Sequence, residues 1–127
     1  MRRGSTEPRP SSRMPKKTSP SLLTAQDLRA LESEKEFQER VAYAARLHRW
    51  KVYAIPDSRR ATIAGYPDLT MWRGARLLFV ELKREKGKLS PAQVTVLDEL
   101  RLLESAEVYV WRPSDWDSLV NILSSAG

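Results

Sequence analysis

GYPDLTMWRGARLLFVELK, residues 65–83, holds two apolar runs, Pro67–Trp72 and Arg76–Lys83, joined by Arg73-Gly74-Ala75. Short runs rich in Leu, Val, Phe, Met and Trp, broken by a glycine, predict a β-hairpin. Charged groups interrupt both runs. Asp68 follows Pro67 at the mouth of the first strand, and Glu81 and Lys83 end the second. Side chains alternate along a strand, so Glu81 and Lys83 share one face while Val80 and Leu82 share the other. Twelve residues lie between Asp68 and Glu81, enough for one strand, a tight turn and most of the next. Such a hairpin brings the two carboxylates side by side.

Adjacent carboxylates repel each other unless a cation sits between them. Mg²⁺ or Mn²⁺ suits this arrangement, because it takes one or two carboxylates and often a backbone carbonyl. The Leu82 carbonyl, freed at the strand end, is the natural third protein ligand. Lys83, one pleat on from Glu81, is placed to stabilise charge on a phosphate or to position an attacking water. These are the parts that metal-assisted phosphodiester hydrolysis needs.

Before the hairpin, Leu28, Leu31, Phe37, Val41, Ala44, Ala45 and His48 recur mostly at spacings of three and four. That is the stripe of an amphipathic helix, with a break near Leu31–Ser33, where Ser33 and Glu36 read as a capping box. Trp50–Pro56 reads as a strand, and Asp57–Gly65 as a polar loop. After the hairpin, Ser90-Pro91-Ala92-Gln93 combines an N-cap serine, a proline at the first helical position and a glutamine at the third. This helix is expected to run to about Glu104. A strand follows at Glu107–Trp111, and then a final helix capped by Ser114 with Asp117. The order is α-β-β-β-α-β-α.

The chain has 127 residues, 22 Lys plus Arg, 16 Asp plus Glu and a formal net charge of +6. That length fits one domain with a tail. Residues 1–22 form the expected tail, basic and rich in Pro, Ser and Arg, with too little apolar surface to fold; residues 23–127 form the domain. There is no cysteine and a single histidine, His48. Disulfides, thiolate zinc sites, iron–sulfur clusters and cysteine nucleophiles are therefore excluded, and any metal must be hard and oxygen-bound. No apolar run approaches the ~18–20 residues of a membrane helix. Residues 46–88 carry 11 bases and 4 acids between two acidic flanks. A polyanionic partner is expected there.

Pro67-Asp68 followed by Glu81-Leu82-Lys83 resembles the PD-(D/E)XK nuclease signature. The wider run resembles its VRR-NUC branch: Glu34, Phe37 and Gln38, then Asp57-Ser58-Arg59-Arg60, Gly65-Tyr66-Pro67-Asp68-Leu69, Phe79-Val80-Glu81-Leu82-Lys83, Gly87-Lys88-Leu89-Ser90-Pro91-Ala92-Gln93 and Val110-Trp111-Arg112-Pro113. The resemblance covers about residues 33–123. It implies an α/β, restriction-endonuclease-like core with a central mixed sheet flanked by helices, and Mg²⁺- or Mn²⁺-dependent DNA cleavage. Structure-specific action on branched DNA, as by Holliday-junction resolvases, is implied as well, with a homodimer for cutting both strands. Asp68, Glu81, Leu82 and Glu34 would serve the metal, and Lys83 and Gln93 would join the catalytic group. Gln38, Ser58, Arg59, Arg60, Arg84, Lys86 and Lys88 would contact nucleic acid. Relatives often carry a histidine two or three residues before the Asp-Ser-Arg segment; here Tyr53-Ala54-Ile55-Pro56 stands in that place. A catalytically silent DNA-binding or nuclease-accessory module with the same fold is the alternative. A bacterial or phage-encoded cytoplasmic protein is the expected setting. Trp72, Trp111 and Trp116 are expected in or at the rim of the core.

Overall fold

The computed structural model describes residues 23–56 and 61–126. The expected tail and Ser58, Arg59 and Arg60 therefore lie outside the described residues. The elements are α1 (Ala25–Leu31), α2 (Glu34–Leu47), β1 (Lys51–Ala54), β2 (Leu69–Arg73), β3 (Arg76–Leu82), α3 (Pro91–Leu100), β4 (Ala106–Trp111), a 3₁₀ turn (Pro113–Asp115) and α4 (Trp116–Ser124). The four strands form one mixed sheet in the order β1-β2-β3-β4. β1–β2 and β2–β3 are antiparallel, and β3–β4 is parallel. The parallel pair requires a crossover, which α3 supplies. The architecture is the expected helix-flanked mixed sheet.

Helix starts follow local chemistry. Thr24, Ser33 and Ser90 each cap a helix, and each is answered by the third residue of that helix, Asp27, Glu36 and Gln93. Each box satisfies backbone donors that a helix start leaves open. The break at Ser33 divides the first helical stretch in two. Only α2 presents a buried stripe, through Phe37, Val41, Ala44 and Ala45. α1 buries no residue, and Leu28 and Leu31 are exposed, so the apolar repeat does not run through the break as one core face.

Two further boundaries differ from expectation. α3 stops at Leu100 rather than near Glu104. The chain must turn there to enter β4 at Ala106, and Leu102 and Leu103 point outward instead of extending a buried face. Ser114 and Asp117 do not cap α4. Asp115 instead accepts from the Arg112 amide at 2.8 Å, and the Ser114 amide donates to Glu85 Oε1 at 2.9 Å.

The core lies on one sheet face. There Leu69, Met71, Leu78, Val80, Leu82 and Trp111 meet α2 and, from α4, Leu119 and Leu123. Both α4 leucines are fully buried, so they pack on the sheet and are not free to form a dimer interface. Trp50 locks the end of α4, since its indole N–H donates to the Leu123 carbonyl at 2.9 Å. Arg73 stacks over the Trp50 ring and donates to the Leu123, Ser125 and His48 carbonyls. These groups satisfy carbonyls that the ends of α2 and α4 leave unpaired. His48 itself caps α2.

Arg76 reaches Glu107 on β4 with two parallel hydrogen bonds of 2.7 and 2.8 Å. Arg76 holds the Glu107 carboxyl below its ordinary 4.5, and the Tyr109 hydroxyl helps. A lowered carboxylate pKa gives stability that is present above the unfolded value and lost as pH falls through the folded one. Glu107→Gln is expected to cost about 1 kcal/mol at neutral pH. The gap between variant and wild type should close as the pH drops below 4.5, as urea unfolding across a pH series would measure.

Candidate active site

The site forms where β3 leaves the sheet. Leu69 pairs with Val80, and continuing that register by one residue sets Asp68 opposite Glu81. Continuing it by two sets Pro67 opposite Leu82. The Lys83 amide donates to the Trp111 carbonyl at 3.1 Å, so Glu81 and Lys83 direct their backbone groups toward β4. Leu82, between them, directs its own toward β2. There the Leu82 amide donates to Asp68 Oδ2 at 2.8 Å. The Leu82 carbonyl faces Pro67, which has no N–H to offer. The proline thus offers that carbonyl no backbone donor beside the two carboxylates.

Glu81 is 1% exposed. Its Oε2 accepts from Gln93 Nε2 at 2.9 Å, while its Oε1 is buried with no hydrogen-bond partner among the described residues. Burial, and then the charge of Asp68, push the Glu81 carboxyl up from 4.5 to about 8. Asp68 is raised too, again by burial, against the lowering effect of the Leu82 amide. The pair therefore holds a proton when nothing else neutralises it. With Glu81 buried and Asp68 half-buried beside it, these oxygens form a hard donor set of two carboxylates and one carbonyl. That set fits a divalent cation such as Mg²⁺.

Gln93 serves two elements with one amide. Its oxygen accepts from the Ser90 amide at 2.8 Å, completing the α3 capping box, and its nitrogen donates to Glu81. Lys83 is also buried, with its Nζ 4.0 Å from Glu81 Oε2 and 4.0 Å from Glu34 Oε2. Lys83 thus bridges β3 to the start of α2. Glu34 does not join the carboxylate pair as a direct third acid, and no group of three His, Cys, Asp or Glu side chains suited to a metal occurs among the described residues. The reason is geometric, since Glu34 is half-exposed and its near neighbour is Lys83. Gln38 lies one helical turn further along α2 and is half-buried. Arg84, Lys86 and Lys88 are exposed on the loop that follows Lys83.

Two positioning groups were not singled out from the sequence. Arg112 donates to the Arg84 carbonyl at 2.8 Å and the Gly87 carbonyl at 2.6 Å, bracing that basic loop against the end of β4. Gly65, at φ +86, lets the loop before Pro67 lie against the first turn of α3. A methyl group there would overlap the Ala92 carbonyl group and sit 2.7 Å from the Gln93 nitrogen. Gly65 therefore ties the Asp68 loop to the helix that presents Gln93. The glycine was legible as a turn residue, but its close approach to α3 needs the folded chain.

The VRR-NUC domain profile matches residues 30–113. Two solved structures resemble the fold. One, a "VRR_NUC domain", is 24% identical, spans 69% of this chain and 94% of that one, and has a TM-score of 0.55. The other, a "VRR_NUC domain protein", is 25% identical, spans 71% and 86%, and has a TM-score of 0.54. No curated protein matches the sequence. Among the described residues, no helix is long and apolar enough to cross a membrane.

Two outcomes test this geometry. Gly65→Ala combines a positive φ with a backbone overlap and is expected to destabilise the fold by about 1–3 kcal/mol, measured by urea unfolding. Glu81→Gln removes a buried charge. A carboxyl whose folded pKa lies above its unfolded one contributes stability below the unfolded value and loses it as pH rises through the folded one. In the presence of chelator, the wild type should lose stability between 4.5 and about 8, whereas Glu81→Gln should lose less, as thermal melts over that range would record.

Proposed function

This chain belongs to the VRR-NUC family, a nuclease-type domain, and from that premise we propose that it is a metal-dependent endonuclease that hydrolyses phosphodiester bonds in branched or otherwise non-duplex DNA. The observation that carries the reading is the Asp68–Glu81 pair, with Glu81 buried at one partnerless oxygen and Lys83 beside it. A buried acid set against a half-buried one is costly for a scaffold and serves a purpose where a cation or proton joins the two.

Asp68, Glu81 and the Leu82 carbonyl would hold Mg²⁺ or Mn²⁺, which when bound supplies a Lewis acid for the phosphate and lowers the pKa of water. The chain's own groups do the rest. Gln93 fixes one Glu81 oxygen and so orients the carboxylate. The Leu82 amide does the same for Asp68. Lys83 carries a positive charge at the mouth of the site, where charge develops on the scissile phosphate. Glu34, 4.0 Å from the Lys83 ammonium, holds that charge in place and so acts as a positioning residue. Arg84, Lys86 and Lys88, exposed beside Lys83, suit backbone phosphates on either side of the cleaved bond. Arg59, Arg60 and Ser58 belong to the same basic segment of the sequence. A homodimer would put two such sites on a symmetric junction.

Synthetic duplex, flap and four-way-junction DNA with Mg²⁺ or Mn²⁺ provide the test. Lys83→Ala is expected to slow cleavage roughly 100- to 1,000-fold while leaving DNA affinity nearly intact. Asp68→Ala should slow it at least as much and also remove the heat of Mn²⁺ binding in calorimetry. A wild-type protein that binds DNA and never cuts with either ion would instead be a silent binding module.

A further inference from the structure

The sheet face that carries Asp68 and Glu81 is only half covered. By strand alternation and register, Lys51 and Tyr53 of β1, Thr70 and Trp72 of β2, and Phe79 of β3 lie on that same face. α3 packs toward β4, at the other side of the sheet. Phe79 is buried, with Tyr66 edge-on to its ring. Tyr53 and Trp72 remain 54% and 46% exposed. Trp72 is thus not a core tryptophan, in contrast to Trp111, which is buried.

The two aromatics are neighbours. Tyr53 pairs with Thr70 and Lys51 pairs with Trp72, so Tyr53 and Trp72 are diagonal cross-strand partners, about 7–8 Å apart at the backbone. Thr70 hydrogen-bonds the Tyr66 hydroxyl at 3.2 Å and lies two residues from Asp68 on the same face. A continuous strip therefore runs from Trp72 past Tyr53 and Thr70 to the carboxylate pair. Lys51 lies on the same face, paired with Trp72 and exposed. Flat aromatic side chains on an open sheet face, with a cation beside them, are what an unpaired nucleic-acid strand requires, since its bases stack and its phosphates are neutralised.

We propose that Tyr53 and Trp72 form a stacking platform for unpaired nucleobases, which leads a single-stranded segment of the substrate across β1 and β2 to Asp68 and Glu81. This rests on the nuclease reading above and adds the substrate feature that the site recognises. The diagonal placing of the two residues on adjacent strands suits neighbouring bases, and the charge of Lys51 suits the phosphate beside them.

The test is binding of the full chain to a labelled short oligothymidylate and to a blunt duplex, by fluorescence anisotropy in chelator so that nothing is cut. Tyr53→Ala and Trp72→Ala are each expected to weaken oligothymidylate binding roughly five-fold or more and to leave duplex binding unchanged. Tyr53→Phe and Trp72→Phe keep a ring and should stay within about two-fold of wild type. As a check that does not depend on how the variants fold, a halogenated-uridine strand irradiated on the wild type should crosslink to Tyr53 or Trp72. Wild-type affinity in both alanine variants, with no crosslink at either ring, overturns the proposal. So does a wild-type dimer that Trp72→Ala dissociates in sedimentation, since the face would then be a contact between two copies. Failure of the nuclease reading would appear separately, as absence of cutting with Mg²⁺ or Mn²⁺ while these binding ratios hold.

Discussion

Two carboxylates share a place where water barely reaches one of them. Glu81 lies near the end of the most buried strand of the sheet with Asp68 beside it; burial raises the proton affinity of both, and the charge of Asp68 raises that of Glu81 further. The surrounding structure is organised around that conflict. An amide of β3 holds Asp68, a glutamine of α3 holds one Glu81 oxygen, and a lysine stands at the opening. Among the described residues the remaining Glu81 oxygen has no hydrogen-bond partner.

The mixed topology makes this arrangement affordable. Antiparallel β2–β3 pairing aligns Asp68 with Glu81, and parallel β3–β4 pairing forces a crossover that returns over the sheet as α3. The crossover starts beside the site, so the first turn of α3 delivers Gln93 to Glu81. Gly65 lets the Asp68 loop pack against that same turn. The helix cap and the orientation of the buried Glu81 carboxylate thus depend on a single side chain. On the opposite face, α2 and α4 close the core, while Tyr53 and Trp72 on the β1–β2 half of the site's own face stay exposed.

The elements that were legible in the sequence were those governed by neighbouring residues. Capping boxes at Ser33 and Ser90, the Gly74 turn and the alternation through Glu81 and Lys83 depend on bonds within a few residues. The errors have a common cause. Leu28 and Leu31 continue the apolar repeat but stay exposed beyond the Ser33 cap, Leu102 and Leu103 look like helix and lie past its end, and Trp72, expected in or at the rim of the core, is 46% exposed. Apolar character shows that a residue can be buried; whether it is buried depends on which elements reach that face.

The order of elements, the hairpin, the placing of an acid on each strand and the glutamine at the third position of α3 are all set by local periodicity and turn chemistry, so the sequence by itself determined them. Three features were decided only by the tertiary structure. Glu34 meets Lys83 rather than the carboxylate pair, because the start of α2 approaches the site from the lysine's side. Gln93 reaches Glu81 only because the α3 crossover begins at the strand end. Arg112 grips the basic loop across the end of β4. Each joins residues far apart in the chain, and distance in space between such residues is fixed by packing, which no local pattern encodes.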